Sequence, residues 1–154
     1  MIRRPGSQLS VLFEVHAAAQ AVGALVGEAL RTAPLTPSEH AHYSVLYDEG
    51  PRTPTELARR CGMPLTSMMH AVRALLAKGH ATRVPDPTDG RSYRLALTPQ
   101  GYAAHAATSQ AFNAAERRFS RALSLPPSQV REVLQAVGAA AEQAQAPTGK
   151  ARSA

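Results

Sequence analysis

Three Thr-Pro dipeptides set the places where helices begin in this chain, at Thr36, Thr53 and Thr98. Proline suits the first position of a helix, and the hydroxyl of the preceding threonine can accept a hydrogen bond from a free amide there. After the first two dipeptides, Glu39 and Glu56 stand three residues beyond the threonine, which completes a capping box. The pattern predicts helices that begin at residues 37, 54 and 99.

The spacing of apolar residues predicts the helices in the first half of the chain. It predicts a long first helix over residues 8–31 and a second helix that ends at Gly50. A short third helix ends at Gly62, and a fourth, in the segment PLTSMMHAVRALLAKG, ends at Gly79. Two helices joined through a glycine turn form a helix-turn-helix candidate.

A β-hairpin is predicted after the fourth helix. Large and small side chains alternate in SYRLALT, which is typical of a half-buried strand, and HATRVPD is its predicted partner. Helix resumes at Thr98 and runs to about residue 123, where SLPPSQ breaks it. A final helix keeps apolar residues at three- and four-residue steps: Val130, Val133, Leu134, Val137 and Ala141. The order predicts a mainly α fold with one hairpin and a mobile polar tail over residues 147–154.

The positive charge of the chain is concentrated in its middle. The formal net charge is +6. Between residues 52 and 101 there are eight Lys and Arg residues and three acids, whereas the rest of the chain has nine and eight. Such a segment favours a polyanionic partner. The alternative is a solvated basic surface that has no partner.

The composition predicts a cytoplasmic protein with no membrane partner. Glu14, His16 and Gln20 interrupt the first apolar run too early for a secretion signal, and we expect no membrane span of about 20 apolar residues. The single cysteine, Cys61, excludes an internal disulfide. We expect no cofactor, no catalytic residue and no enzyme, because the sequence has no Gly-rich phosphate loop, no H-E-x-x-H and no nucleophile elbow.

The second helix of a helix-turn-helix places its early side chains against base edges in the major groove. The candidate DNA contacts there are Leu65, Thr66, Ser67, Met69, His70 and Arg73, together with Thr53 before the preceding helix. Arg73 has the planar, two-pronged group that suits guanine. The alternative is that these side chains only solvate an exposed helix face.

The hairpin tip strengthens the nucleic-acid interpretation. An arginine beside a recognition helix can enter the neighbouring minor groove, where the negative potential is strongest when the groove is narrow. Arg91 is the candidate, and Ser92 follows it. We expect Asp89 to orient the Arg91 guanidinium and Gly90 to permit the tight turn.

The segment from LTPSEHAHYSVLYDEG to DPTDGRSYRLALTPQG resembles the core of the MarR family of bacterial transcription regulators. Its specific part is close to the pattern D-x-x-D-x-R-S, an alternating strand, then L-T-x-x-G, and the element order agrees over nearly the whole chain. Two positions depart from the common pattern. Pro64 stands where a helix-capping Ser is frequent, and Gly90 stands where an Arg is often found at the wing tip.

The resemblance implies a winged helix-turn-helix lobe over residues 35–101, with interlocking dimerisation helices in residues 1–34 and 102–146. It implies a homodimer that binds double-stranded DNA at a pseudo-palindromic operator and represses transcription until a small aromatic effector releases it. Two alternatives stay open. One is an architectural DNA binder that needs no effector, and the other is a small-molecule or protein-interaction module that has lost DNA recognition.

The resemblance also places an effector in a crevice bordered by the first two helices. The candidate effector residues are Phe13, His16, His42, Tyr43 and Tyr47, which combine aromatic faces with a few polar groups. The alternative is that they satisfy one another in a core. We expect Cys61 to pack in the core rather than to sense peroxide. We expect no metal site, because His40 and His42 are two residues apart and so lie on different faces of a helix.

Overall fold

The computed structural model describes residues 9–145, which form six helices and one antiparallel hairpin. In chain order the elements are α1 (Val11–Ala29), α2 (Pro37–Asp48), α3 (Pro54–Arg60), α4 (Leu65–Ala77), β1 (Ala81–Pro85), β2 (Tyr93–Leu97), α5 (Pro99–Ala122) and α6 (Pro127–Gln145). The predicted element order and the mainly α winged fold are confirmed. Helix α1 is shorter than the predicted residues 8–31, and the predicted mobile tail lies outside the described residues.

The three Thr-Pro sites begin helices as predicted. The Thr36 and Thr53 side chains accept hydrogen bonds from the amides of Glu39 and Glu56, whose carboxylates accept from the threonine amides in return. At the start of α5, the Thr98 hydroxyl accepts a hydrogen bond of 3.2 Å from the amide three residues later. Local side-chain chemistry therefore sets the start of α2, α3 and α5.

Glycines end the two helices of the helix-turn-helix. Gly62 follows α3 with a φ of +63°, and Gly79 follows α4 with a φ of +67°. A left-handed backbone of this kind costs a residue with a Cβ about 1–2 kcal/mol. The turn between α3 and α4 is therefore encoded in the sequence itself.

The core of the winged lobe is formed by one face of α4, the inner face of β2, and α2 and α3. Met68, Val72 and Leu75 are buried at helical spacing on α4, and Leu95 and Leu97 are buried on β2. The other buried members of this core are Leu35, Tyr43, Leu46, Leu57, Ala58 and Ala81. Burial of an aliphatic side chain of this size contributes about 1.5–3 kcal/mol, so α4 is held firmly with its opposite face outward.

The wing is attached to the lobe through its second strand. Strands β1 and β2 pair antiparallel over their whole length. On the other edge of β2, Leu95 exchanges two backbone hydrogen bonds, of 3.2 and 2.8 Å, with Arg52 in the segment between α2 and α3. The hairpin therefore leaves the lobe in a fixed direction.

The loop Gly79–His80, between α4 and β1, is held by a set of contacts that we call the His80 junction. The Thr98 hydroxyl donates to the Gly79 carbonyl at 2.7 Å, and the Thr98 amide donates to the His80 carbonyl at 3.0 Å. The Tyr43 hydroxyl and His80 Nδ1 share a hydrogen bond of 2.8 Å. Burial, together with the charge of Glu39, raises the pKa of Tyr43 to about 12, so the phenol stays protonated. The junction connects α2, the end of α4, the start of β1 and the start of α5.

The chain divides into two compact units, Met1–Ala115 and Glu116–Ala154. Helix α1 in the first unit and helix α6 in the second have no buried residue. The large apolar side chains exposed on these two helices are Val11, Leu12, Phe13, Val22, Val133 and Leu134. Each helix thus leaves apolar surface in contact with water in the single chain.

The expectation that no segment is suited to cross a membrane is wrong for helix α1. Its 19 residues are long and apolar enough to do so by length and composition alone, and none of them is buried. The reason is that mostly Ala and Gly, rather than charged residues, separate the larger apolar side chains along α1. Length and composition do not distinguish a membrane span from a helix that is buried against another protein chain.

Gly101 tests the His80 junction. A Cβ at this position would overlap the backbone carbonyl of His80, whereas a Cβ at Gly90 in the wing would meet nothing within 4 Å. We therefore expect Gly101→Ala to lower the free energy of unfolding by about 1–3 kcal/mol, as overpacking against a fixed backbone does. The matched control, Gly90→Ala, should change it by less than about 0.5 kcal/mol. Urea denaturation followed by circular dichroism measures both, and equal effects of the two substitutions would contradict the proposed tight approach at Gly101.

Candidate nucleic-acid interface and cavity

Helix α4 presents most of the predicted DNA contacts on its exposed face. Leu65, Thr66, Ser67, His70 and Arg73 are exposed, whereas Met69 is half-buried. The helix has Pro64 as its N-cap residue, and no side chain caps its first turn. Its first amides therefore remain available for an external acceptor, and the positive end of the helix dipole lies at the same place.

Thr53 is half-buried at the start of α3, and its hydroxyl is engaged in the capping box. It donates to a Glu56 carboxylate oxygen at 3.1 Å and accepts from the Glu56 amide at 3.2 Å. A hydroxyl committed in this way has little capacity left for a phosphate. The structure thus gives Thr53 a capping role, and its DNA contact stays a prediction.

The wing tip is organised by two aspartates. Asp86 is buried and accepts hydrogen bonds from the Thr88 amide and hydroxyl at 2.9 and 2.8 Å. Its other oxygen lies 3.3 Å from Arg94 Nε. The Thr88 hydrogen bonds, with a further contribution from the Arg94 charge, hold the pKa of Asp86 below its usual value. The wing tip therefore has an internal ionic anchor at its base.

Two expectations about the tip need correction. Asp89 accepts a hydrogen bond of 3.0 Å from the Arg91 backbone amide, so it holds the backbone and does not orient the guanidinium. Gly90 does not have a positive φ, and its turn does not require a glycine. Arg91 itself is exposed, and Ser92 is half-buried, with its amide donating to the Asp89 carbonyl at 2.9 Å.

Most of the basic side chains in the middle of the chain already have partners. The paired ones are Arg52 and Arg60 with Glu49, Lys78 with Glu39, and Arg94 with Asp86, and Arg83 lies over the Tyr93 ring at 4.7 Å. Within residues 9–145, the exposed Arg59, Arg73 and Arg91 make no ion pair. These three arginines, which we call the unpaired arginines, lie on α3, α4 and the wing. Arg59 was not among the predicted contacts, since charge counting along a sequence does not show which cations are already paired.

Cys61 is the C-cap residue of α3 and is half-buried beside the core. Burial raises the pKa of its thiol, and the nearby Arg60 acts in the opposite direction. A raised pKa keeps the thiol protonated at neutral pH, which makes it a weak nucleophile. The position agrees with the expected packing role.

A cavity of about 330 Å³ lies between α2 and α5 in the first unit. Its lining residues are His40, Ser44, Tyr47, Asp48, His105, Ala106, Ser109, Phe112 and Asn113. The volume is near the lower end of what pockets for small molecules have. The lining combines planar rings with hydroxyl, amide and carboxylate groups.

Two buried histidines on different helices line the cavity. The rings of His40 and His105 stack with centroids 5.2 Å apart, and the Tyr47 ring stacks on His105 at 4.6 Å. Ser109 Oγ lies 3.1 Å from His40 Nε2, and Ser44 Oγ lies 3.1 Å from His105 Nε2. The hydroxyls thus hold both rings at fixed angles.

Burial lowers the pKa of both His40 and His105. The proximity of His105 lowers the pKa of His40 further, whereas the Asp48 carboxylate acts on His105 in the opposite direction. Both rings are therefore uncharged at neutral pH. Among the nine described lining residues, Asp48 then carries the one formal charge.

The predicted effector residues are not brought together. Tyr47 lines the cavity. Tyr43 is fully buried in the core and bonded to His80, and His42 is buried with a ring nitrogen that has no partner within the described residues. Phe13 and His16 are exposed on α1. Sequence reasoning missed His40 and His105 as a pair because they lie on different helices and only the fold brings them together.

Within residues 9–145, no three His, Cys, Asp or Glu side chains are grouped in a way that suits a metal ion. His40 and His42 are both buried, and His40 stacks on His105. The pair at positions 40 and 42 therefore does not form a chelating site.

An α3–turn–α4 unit followed by a two-stranded wing defines a winged helix-turn-helix protein. Residues 33–92 match the family model of the MarR family. The match covers α2 to the wing tip, so this part of the chain is similar to the MarR family. A protein of similar structure is described as a probable transcriptional regulator, which agrees with the prediction that this chain is not an enzyme.

Solved structures have the same fold. A probable transcriptional regulator from Pseudomonas aeruginosa is 28% identical, with 83% of this chain and 96% of that chain covered and a TM-score of 0.70. The Mycobacterium tuberculosis regulator MosR in complex with DNA is 23% identical over 89% of this chain and 99% of that chain, with a TM-score of 0.75. A mutant MarR from Escherichia coli complexed with operator DNA is 21% identical over 80% and 90%, with a TM-score of 0.69. No curated protein matches the chain.

The buried histidines predict how stability depends on pH. Burial is the main reason that the pKa values of His40, His42 and His105 are lowered, so near pH 6 the unfolded chain binds more protons than the folded one. Stability should be full above the ordinary histidine pKa of about 6.5 and should fall as the pH drops below it. The carboxylates with lowered pKa values reduce the free energy of unfolding only when they become protonated, below about pH 4.5.

Urea denaturation at pH 7.5 and pH 5.5, at one protein concentration, measures this loss. The variant His105→Gln has no imidazole to titrate at that position, so its stability should fall less over the same interval. A free energy of unfolding that is constant or larger at pH 5.5 would contradict the assignment.

Proposed function

We propose that this protein is a transcription regulator that binds double-stranded DNA sequence-specifically, with α4 in the major groove. The observation that carries the proposal is the division of α4 into two faces. Its inner face is locked in the core by Met68, Val72 and Leu75, and its outer face presents short polar side chains and Arg73. A major groove about 12 Å wide admits one such helix, and an arginine fork pairs with the two acceptors of guanine.

The wing adds a second contact. Strand β2 is tied to the lobe at Leu95, and the backbone of Arg91 is held by Asp89, so the guanidinium is presented from a fixed base. An arginine beside the recognition helix fits the neighbouring minor groove, where a narrow A·T-rich stretch has the most negative potential. Asp89, Gly90 and Ser92 support this contact through the shape of the tip.

The three unpaired arginines carry the electrostatic part of the binding. A cation that has no internal partner loses no ion pair when it meets a phosphate, whereas Arg52, Arg60 and Lys78 are already engaged. Each phosphate contact releases counterions, so affinity falls steeply as salt rises. We therefore add Arg59 to the proposed DNA contacts, because it is one of the three unpaired arginines.

The active form in this proposal is a cytoplasmic homodimer. Helices α1 and α6 each present exposed apolar side chains and bury none of their residues within the chain. A second copy of the chain is the economical cover for such surfaces in a symmetric assembly. We assign residues 1–34 and 102–146 to dimerisation and residues 35–101 to DNA binding. Two copies then meet a pseudo-palindromic operator at successive major grooves about 34 Å apart.

The regulator acts as a repressor that a small aromatic molecule releases from DNA. The cavity between α2 and α5 is the feature of this chain that supports an effector site, since it combines ring faces with fixed polar groups. MosR and the E. coli MarR mutant, two structures of the same fold, were solved in complex with DNA.

Substitution of two of the unpaired arginines, Arg73 and Arg91, tests the interface. Arg73→Ala should weaken binding to the operator by about 1–3 kcal/mol and relax the preference at one base pair. Arg91→Ala should weaken binding mainly at operators with A·T-rich flanks. The control is Arg31→Ala, since the Arg31 side chain is 71% exposed, pairs with Glu28 and lies outside the lobe, and light scattering confirms that this variant stays dimeric. Gel-shift titration against the promoter DNA of the protein's own gene measures all three.

Competition with unrelated duplex DNA separates this proposal from an architectural binder. A sequence-specific regulator keeps its operator complex in excess competitor, and an architectural protein does not. If Arg73→Ala and Arg91→Ala both bind the operator as Arg31→Ala does, the assignment of α4 and the wing fails.

The dimer has its own test. Leu134→Glu places a charge in the exposed apolar stripe of α6, and it should shift the protein from dimer to monomer in light scattering and abolish operator binding. Gln135→Glu, at the neighbouring exposed position, adds the same charge and should leave the dimer intact. A monomeric unsubstituted protein would refute the proposed assembly.

A further inference from the structure

The cavity between α2 and α5 has a charge that restricts its ligand. The nine described lining residues include one carboxylate, Asp48, and neither Lys nor Arg. We propose that the cavity binds a planar aromatic cation, such as an aryl amidinium, with Asp48 as its counter-charge. The role of this ligand as the effector rests on the proposed function, whereas its binding does not.

The end of helix α2 adds to the negative potential. Ser44, Tyr47 and Asp48 lie in the last turns of α2, which ends at Asp48. The last carbonyl groups of a helix carry a partial negative charge, which favours a cation at this end. No basic residue stands in the last turn of α2 to neutralise it. The helix terminus and the carboxylate therefore act in the same direction.

The walls of the cavity suit a flat ring. The His40 ring lies 4.7 Å from the Phe112 ring and 5.2 Å from the His105 ring, and Tyr47 stacks on His105. Each histidine ring packs between two other rings, so the rings left to attract a planar cation are Tyr47 and Phe112 at the ends of this row. The hydroxyl groups of Ser44 and Ser109 already bond the histidines, so the polar contacts of the wall are fixed before a ligand enters.

An aromatic carboxylate has a shape that suits the cavity, but its negative charge does not. Both histidines are uncharged at neutral pH because burial lowers their pKa values. An anion in the cavity would therefore meet no opposite charge among the described lining residues, and it would be repelled by Asp48. Transfer of an unpaired charge out of water is unfavourable, so the cavity selects against it.

Three probes of nearly the same shape test the proposal. Benzamidine is a cation at pH 7.5, benzamide is neutral and benzoate is an anion. Isothermal titration calorimetry with the full-length protein at pH 7.5 should give the affinity order benzamidine, benzamide, benzoate. Variants then locate the site, with far-ultraviolet circular dichroism to confirm that each is folded.

Asp48→Asn removes the charge and keeps the shape of the side chain. It should weaken benzamidine binding about fivefold, the effect of losing a solvent-exposed ion pair, and it should leave benzamide nearly unaffected. Ala106→Leu narrows the cavity without removing a polar group and should weaken both probes. Glu132→Gln removes one negative charge at an exposed position of α6 and should change neither affinity.

Benzoate binding as tight as that of benzamidine, an unchanged benzamidine affinity in Asp48→Asn, or no binding of any probe at millimolar concentration would each overturn the inference. Operator titration in the presence of benzamidine separates this outcome from failure of the proposed function. If the protein binds its operator but none of the probes, the proposed ligand site is refuted and the proposed DNA binding is not. Benzamidine binding without any change in operator affinity supports the cavity and refutes its role as an effector site.

Discussion

The hydrogen bond from the Thr98 hydroxyl to the Gly79 carbonyl closes the junction on which the rest of the lobe depends. At this point α4 ends, β1 begins and α5 begins, and Tyr43 of α2 reaches the same loop through His80. Gly101 makes the arrangement possible, because a side chain there would overlap the His80 carbonyl. Helix α4 and the wing are thereby held in one orientation relative to each other, which the proposed placement of two cationic groups in neighbouring grooves requires.

Much of the fold is predictable from the sequence because the signals that start and end its helices are local. The Thr-Pro starts at residues 36, 53 and 98 and the glycine ends of α3 and α4 act within a few residues, and the structure has them where the pattern predicts. The exposed face of α4 follows from helical spacing in the same way. The detail of the wing tip is less predictable, since whether Asp89 bonds a guanidinium or a backbone amide depends on the shape of the turn.

The cavity lies beyond sequence reasoning for a physical reason. His40 and His105 come from separate helices, and only packing makes them stack. Adjacent residues of α2 point to different parts of the molecule. Tyr43 contacts the His80 junction, and Ser44 contacts His105 in the cavity. A ligand that moves Ser44 acts one residue away from the junction. Helix α2 therefore contacts both the cavity and the His80 junction, and we propose coupling through it as the basis of the effector response.

We propose that the His80 junction holds α4 and the wing so that a dimer of this protein occupies paired grooves of a duplex. Hydroxyl-radical footprinting on a genomic fragment selected by the purified protein tests this most directly. We expect two protected half-sites whose centres lie about 10–10.5 base pairs apart, each with protection of the flanking minor groove. Continuous protection without this spacing, or half-sites with no flanking protection, would contradict it.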